Sequence, residues 1–218
     1  MKKKYTAQEV QILILDSATS LFIQKGFDGT RVQDIMNPLD GLTKGAFYHH
    51  FESKDDVADK VIERLIPSKE VLDTISKNEQ LTGLKKVQEL FISSIFDESI
   101  IKYISNSFEL LNSPKFFLKY INYVNQTLVP YIEDALIEGN SDGSLAMDYP
   151  KQTAELIVLV LSTWFINAIF PNTIETFEQK ISVSQKFFKN NHIDILDDYV
   201  IQRISQELSK SANGTIEE

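Results

Sequence analysis

A chain of 218 residues with 43% apolar and 24% charged side chains has the make-up of a folded globular protein. It contains no cysteine, which excludes disulfides, thiolate metal sites and cysteine nucleophiles, and its three histidines leave little room for metal chemistry. The formal charge is −9, so attraction to a polyanion has to be concentrated locally. Residues 1–65 carry 9 Lys or Arg against 10 Asp or Glu, and the acidic excess lies mostly beyond them.

Met1-Lys2-Lys3-Lys4 has the charge of a secretion-signal start, but only the four apolar residues Ile12 to Leu15 follow before Asp16, so a cytoplasmic location is expected. The three lysines read as a solvated end or as an arm reaching phosphates or a minor groove. From Gln8 to Lys25, Val10, Ile14, Leu15, Ala18, Leu21 and Phe22 recur at helical spacing. Gly26 then reads as a left-handed cap, with Phe27 packing back.

Thr30 and Gln33 have the spacing of a capping box that opens a short second helix, ended or interrupted by Pro38 and Asp40-Gly41. Thr43 can cap a third short helix carrying Lys44, Ala46, Phe47, Tyr48, His49 and His50. Ser53 caps a fourth, with Asp55 and Asp56 in its first turn and a seam of Val57, Val61, Ile62 and Leu65. Pro67-Ser68 marks the junction with the rest.

Beyond it, Leu84 to Leu111 carries helical seams that Asn112-Ser113-Pro114 breaks. Lys115 to about Glu138 follows, with Pro130 expected to kink or divide it, and then a turn at Gly139 to Gly143. Pro150 opens a helix over Lys151 to Phe170. Ile174 to about Asn190 and Asp194 to Leu208 complete the set. Leu156 to Phe170, the longest apolar stretch, contains Ser162, Thr163 and Asn167 and falls short of the roughly 20 residues that span a bilayer. Burial against protein is the expectation.

Residues 43–51 carry the functional argument. Ala46, Phe47 and Phe51 can face a small core, Gly45 keeps one side slim, and Thr43, Lys44, Tyr48 and His49 remain for a groove about 12 Å wide. Lys54, Thr30 and Gln33 would clamp the backbone on either side. Adjacent histidines on a helix point about 100° apart, and no third ligand lies near His49 and His50, so a metal pair is a poor reading.

The ordered set Ile14-Leu15-Asp16, Ala18, Leu21-Phe22, Lys25-Gly26-Phe27, Thr30, Val32, Asp34-Ile35, Thr43-Lys44-Gly45-Ala46-Phe47-Tyr48-His49-His50-Phe51 and Ser53-Lys54 resembles the operator-binding domain of the tetracycline-repressor family. The chain departs from the common pattern by one extra residue between Ile35 and Gly45. The resemblance implies an all-α protein: a helix-turn-helix three-helix domain, residues 1–66, joined to a helical effector-binding and dimerisation domain, residues 67–210, with a flexible tail at 211–218. It implies a homodimer on a near-palindromic double-stranded operator, with contacts from Thr43, Lys44, Tyr48, His50 and Lys54 and selectivity from Gln33 and His49.

In the larger domain, Leu156 to Phe170 and Asp194 to Leu208 are expected to form an intersubunit four-helix bundle. Phe91, Phe96, Tyr103, Phe108, Phe116, Tyr120, Tyr123, Trp164 and Phe165, with Asn106, Asn122, Asn125, Gln126 and Asn167, could line an effector chamber suited to a hydrophobic or amphipathic small molecule. Trp164 suits either that wall or the dimer seam. No phosphate loop, nucleophile elbow or His-Glu-x-x-His motif is present, so neither an enzyme nor a cofactor is expected. The reading from a different class is a co-regulator that keeps this scaffold, binds another protein and recognises DNA weakly.

Overall fold

The computed structural model describes residues 5–96, 108–165, 169–171 and 173–214, and among them every regular element is helical. Contacts group Met1–Leu65 with Lys102–Tyr123 in one compact unit, and Ile66–Ile101 with Val124–Glu218 in another. The first unit thus takes in residues that the sequence reading placed wholly in the second domain.

Helix α1, Ala7–Lys25, starts one residue before the expected position because Thr6 and Glu9 form a capping box. The Glu9 carboxylate accepts from Thr6 N–H at 2.7 Å, and Glu9 N–H donates to the Thr6 hydroxyl at 3.2 Å. Its inward face is Val10, Ile14, Leu15, Ala18 and Phe22, the expected seam without Leu21. Gly26 ends it with φ +73° and ψ 166°, a conformation that strains any side chain but lies outside the left-handed helical region anticipated for this cap.

Three short helices follow: α2, Val32–Met36; α3, Lys44–His50; and α4, Lys54–Glu63. Ile35, Phe47, Val57 and Ala58 are fully buried, so all four elements share one core. Ser17 ties α1 to α2 by donating to the Ile35 carbonyl at 2.7 Å. The segment with the extra residue closes as consecutive turns, Leu39 N–H to Met36 O and Leu42 N–H to Leu39 O, with Gly41 at φ +79°. A short 3-10 helix, Phe108–Asn112, packs on α1. Phe116 then adds its ring to the same core, 5.3 Å from Phe22 and 6.1 Å from Phe27 between centroids.

The second unit is built from α5, Lys69–Ser76; α6, Gly83–Phe96; the continuation of α7, Pro114–Asp142; α8, Pro150–Thr163; α9, Ile174–Asn190; and α10, Asp198–Gly214. Pro130 does not divide α7. Proline removes a donor to the carbonyl four residues back, and both Pro130 and Gln126 are exposed, so water can satisfy that carbonyl.

The turn expected at Gly139 is instead helical, and Gly139 is where α6 meets α7: a Cβ on Gly83 would run into the backbone of Ala135 and Gly139. The Asp142 carboxylate and the Ser144 hydroxyl accept from the first N–H groups of α6, at Gly83 and Leu84. Hydrogen bonds from Ser144 and the Gly83 amide hold the Asp142 carboxyl below the usual carboxylate range. Beside this crossing, the buried Lys86 ammonium pairs with Glu138 at 2.6 Å. No described helix is long and apolar enough to cross a membrane.

Candidate nucleic-acid interface

Helix α3 turns the faces its sequence requires. Phe47 and Phe51 are buried with ring centroids 5.7 Å apart, Ala46 is half-buried, and Thr43, Lys44, Gly45, Tyr48 and His49 are exposed. Tyr48 is 59% exposed yet held, because its ring meets the edge of Phe47 at 5.2 Å. The Thr43 hydroxyl caps no helical N–H, and the Lys44 ammonium forms no ion pair with a described residue. A Cβ on Gly45 would meet only the Thr43 hydroxyl, at 3.4 Å. The fold therefore has no need of a glycine there.

Gln33 is exposed on α2, with its amide donating to the Asn37 side chain at 2.7 Å. His49 and His50 stack edge to face at 5.1 Å, the second half-buried, and no cluster of three metal-ligating side chains exists among the described residues.

Two expected contacts are placed differently. Thr30 is fully buried, and its hydroxyl donates to Gly26 O at 2.8 Å and Leu21 O at 3.3 Å, so it does not cap α2. The second helix is opened instead by Arg31, whose N–H donates to the Asp34 carboxylate at 2.8 Å. Lys54 points inward: its ammonium donates to Phe27 O at 2.6 Å and Thr30 O at 2.7 Å and lies 4.1 Å from the Phe27 ring centroid. Arg31 was missed by the sequence reading. It is exposed at the start of α2, and its guanidinium pairs with no described residue. Its position, directly before a short helix and two residues from Gln33, was the available signal.

The described residues of the expected effector chamber are divided between the two units. Phe116 and Tyr120 are buried in the first unit, where burial pushes the Tyr120 phenol well up, and Tyr123 is half-buried there. Asn122, Asn125 and Gln126 are exposed, because they occupy the outer side of α7. Phe91 is buried in the second unit, and Trp164 and Phe165 are half-buried. Tyr103, Asn106 and Asn167 lie outside the described residues, as do the side chains of Phe96 and Phe108.

Among the exposed apolar side chains of the second unit are Leu156 and Leu159 on α8, and Val183 and Phe187 on α9, with Ile137 on α7 and Tyr199 on α10. On α10, the helix expected to complete the bundle, Val200 and Ile204 are buried while Tyr199 is exposed, and the side chains from residue 207 on lie outside the described residues.

The family described as bacterial regulatory proteins, tetR family, matches residues 14–61, the stretch that contains α2 and α3. The biofilm operon icaADBC HTH-type negative transcriptional regulator IcaR of Staphylococcus epidermidis is 27% identical over 190 residues, covering 84% of this chain and 95% of that protein. Its Staphylococcus aureus counterpart is 24% identical over the same shares. A TerR/AcrR-family regulator from Aquifex aeolicus, 25% identical, superposes with TM-score 0.54 over 82% of this chain and 99% of that one. The SmeT–triclosan complex, 18% identical, shares the fold with TM-score 0.58 over 92% of this chain and 90% of that one. An exposed, aromatic-backed α3, an all-helical frame and near full-length regulator relatives agree: residues 14–61 form a tetR-family helix-turn-helix domain, and the chain as a whole is similar to bacterial transcriptional regulators of that family.

Proposed function

We propose that this regulator is a repressor that binds a near-palindromic operator as a homodimer, inserts α3 of each copy into successive major grooves, and is released by a small-molecule effector. One observation carries the reading: α3 buries Phe47 and Phe51 while Thr43, Lys44, Gly45, Tyr48 and His49 stay open on its other side. Lys44 supplies a cation for phosphate, Tyr48 and Thr43 supply hydroxyls, and Gly45 admits the close approach of backbone to duplex. Gln33 and Arg31 stand at α2, with the reach to set orientation or read a neighbouring base. Repression in the IcaR relatives, named as negative regulators, supports the sign.

Dimerisation is supported by the open apolar residues of α8 and α9, which a second copy would cover. Two recognition helices then need a spacing of about 34–36 Å, one turn of the duplex. An effector preferring another spacing has to bind the DNA-bound protein less tightly, which is the thermodynamic content of induction. The related fold of SmeT is described with triclosan, consistent with a small, largely apolar effector.

Operator selection followed by footprinting tests the reading. A single protected palindrome is the expected result. A stable complex with another protein and no sequence preference would replace it with the co-regulator reading.

A further inference from the structure

We propose that Lys54 is a positioning residue that locks the turn leading into α2, and not a phosphate ligand; the inference rests on the DNA-binding reading above. An ammonium has three donors in tetrahedral array. Two of them point at Phe27 O, 2.6 Å away, and Thr30 O, 2.7 Å away, and the Phe27 ring lies on the remaining side with its centroid at 4.1 Å. The cation is therefore spent within its own unit.

Lys54 is also the first residue of α4, where the helix dipole disfavours a positive charge. What offsets this is a pair of turn carbonyls beyond the end of α1: Thr30 O, and Phe27 O, which also accepts from Thr30 N–H at 3.2 Å. The same turn is held from its other side by Thr30, whose hydroxyl donates to Gly26 O and Leu21 O. Phe27 is fixed in turn by Phe22 at 5.4 Å and by the Lys115 ammonium at 3.5 Å from its centroid, and Lys115 pairs with Asp55 at 3.2 Å. Residues 27–30 lead directly into Arg31 and Gln33, so the direction of α2 depends on this clamp.

A phosphate ligand and a positioning residue leave different signatures. Loss of a phosphate contact makes the plot of log affinity against log salt shallower by about 0.9 and weakens all DNA alike. Loss of a positioning residue leaves that slope alone and weakens only the binding that requires correct geometry. The test compares the full-length parent, Lys54→Met, Lys54→Gln and Lys44→Ala on the selected operator and on an unrelated duplex of equal length, across a salt series, below each protein's melting transition.

Lys54→Met is expected to lose about tenfold on the operator, to stay within about twofold on the unrelated duplex and to keep the parent's slope. Lys54→Gln, whose amide can still donate to a carbonyl, is expected to recover most of the loss. If Lys54→Met does not fold, the slope of Lys54→Gln decides alone. A slope shallower by about 0.9 with equal losses on both duplexes, or no loss at all, overturns the proposal. Hydrogen exchange of the α2 amides in the free protein gives a readout without DNA and should rise in Lys54→Met. Failure of the parent itself to select an operator would reject the DNA-binding reading, while the exchange measurement would still report on the clamp.

Discussion

Gly45→Ala separates what the fold needs from what DNA needs, because the two predict opposite signs. In the free protein the added methyl meets only the Thr43 hydroxyl, at the 3.4 Å of ordinary contact. Glycine inside a helix is worse than alanine by about 0.5–1 kcal/mol, and near a helix start the lower end applies. A gain of about 0.5 kcal/mol in a chain of this length raises the melting temperature by roughly 1–2 °C. On DNA the same methyl projects from the exposed side of α3, where the proposed complex brings backbone and duplex together. Overpacking there costs about 1–3 kcal/mol, a loss of roughly 5- to 150-fold in affinity. Thermal melts read the first effect and fluorescence anisotropy with the selected operator, at fixed salt, reads the second. A variant that is more stable and binds like the parent would refute close approach at Gly45. A destabilised variant would refute the description of the α3 backbone.

Lys44→Ala and Tyr48→Phe should each weaken operator binding while leaving the melting temperature unchanged, by about 1–3 kcal/mol where a base contact is lost and less for a phosphate contact; isothermal titration and melting curves check both. Thr30→Val is expected to act oppositely, destabilising the protein by about 1–3 kcal/mol through the lost donor to Gly26 O and Leu21 O, with an unchanged salt slope for binding. Leu159→Asp or Val183→Asp should shift the sedimentation coefficient from dimer to monomer with the helix signal in circular dichroism retained, since both side chains are exposed in the free chain. A dimer unaffected by either change would place the interface elsewhere.

Much of the first unit could be read directly because its signals are local. The α1 seam of Ile14, Ala18 and Phe22, the Ser53 cap and the inward pair Phe47 and Phe51 are each specified within one or two helical turns. Thr30 was misplaced because a hydroxyl between two helices can either cap the next one or return to carbonyls of the last, and the spacing satisfies both. Lys54 was assigned outward for a similar reason: its partners lie 27 and 24 residues earlier, and no pattern within α4 announces them.

The second unit was less legible because its determinants are contacts between distant segments. Gly139 carries the same local signal whether it ends a helix or lets α6 cross α7, and only the approach of Gly83 distinguishes the two. The helix expected beside α8 in the bundle is Asp194–Leu208, and α9 offers a second candidate because it leaves Val183 and Phe187 exposed. Both stretches are amphipathic. No pattern within either stretch announces the contacts that α6 makes just before α10, where the Gln88 amide donates to Asp194 O and Lys85 pairs with Asp197.

The same fold resolves the objection that an acidic chain should avoid DNA. Counted by position in the chain, the first 65 residues are slightly acidic, but the compact unit they belong to also includes Lys102–Tyr123. Among its described residues that unit holds 8 Lys or Arg against 11 Asp or Glu, so the sign of any one face depends on which carboxylates are paired. The added cations have a defined use, since Lys115 pairs with Asp55 and Lys119 with Asp59, which neutralises carboxylates of α4. Arg64 does the same for Asp16. Each neutralised carboxylate removes a repulsion toward phosphate that would act over about one Debye length, roughly 10 Å at 0.1 M salt. Lys44 and Arg31, unpaired among the described residues, then offer phosphate two cations beside α2 and α3, where the exposed Asp40 still opposes them. Contact with phosphate needs no basic protein, only cations left exposed where the duplex approaches and some of the nearby carboxylates occupied.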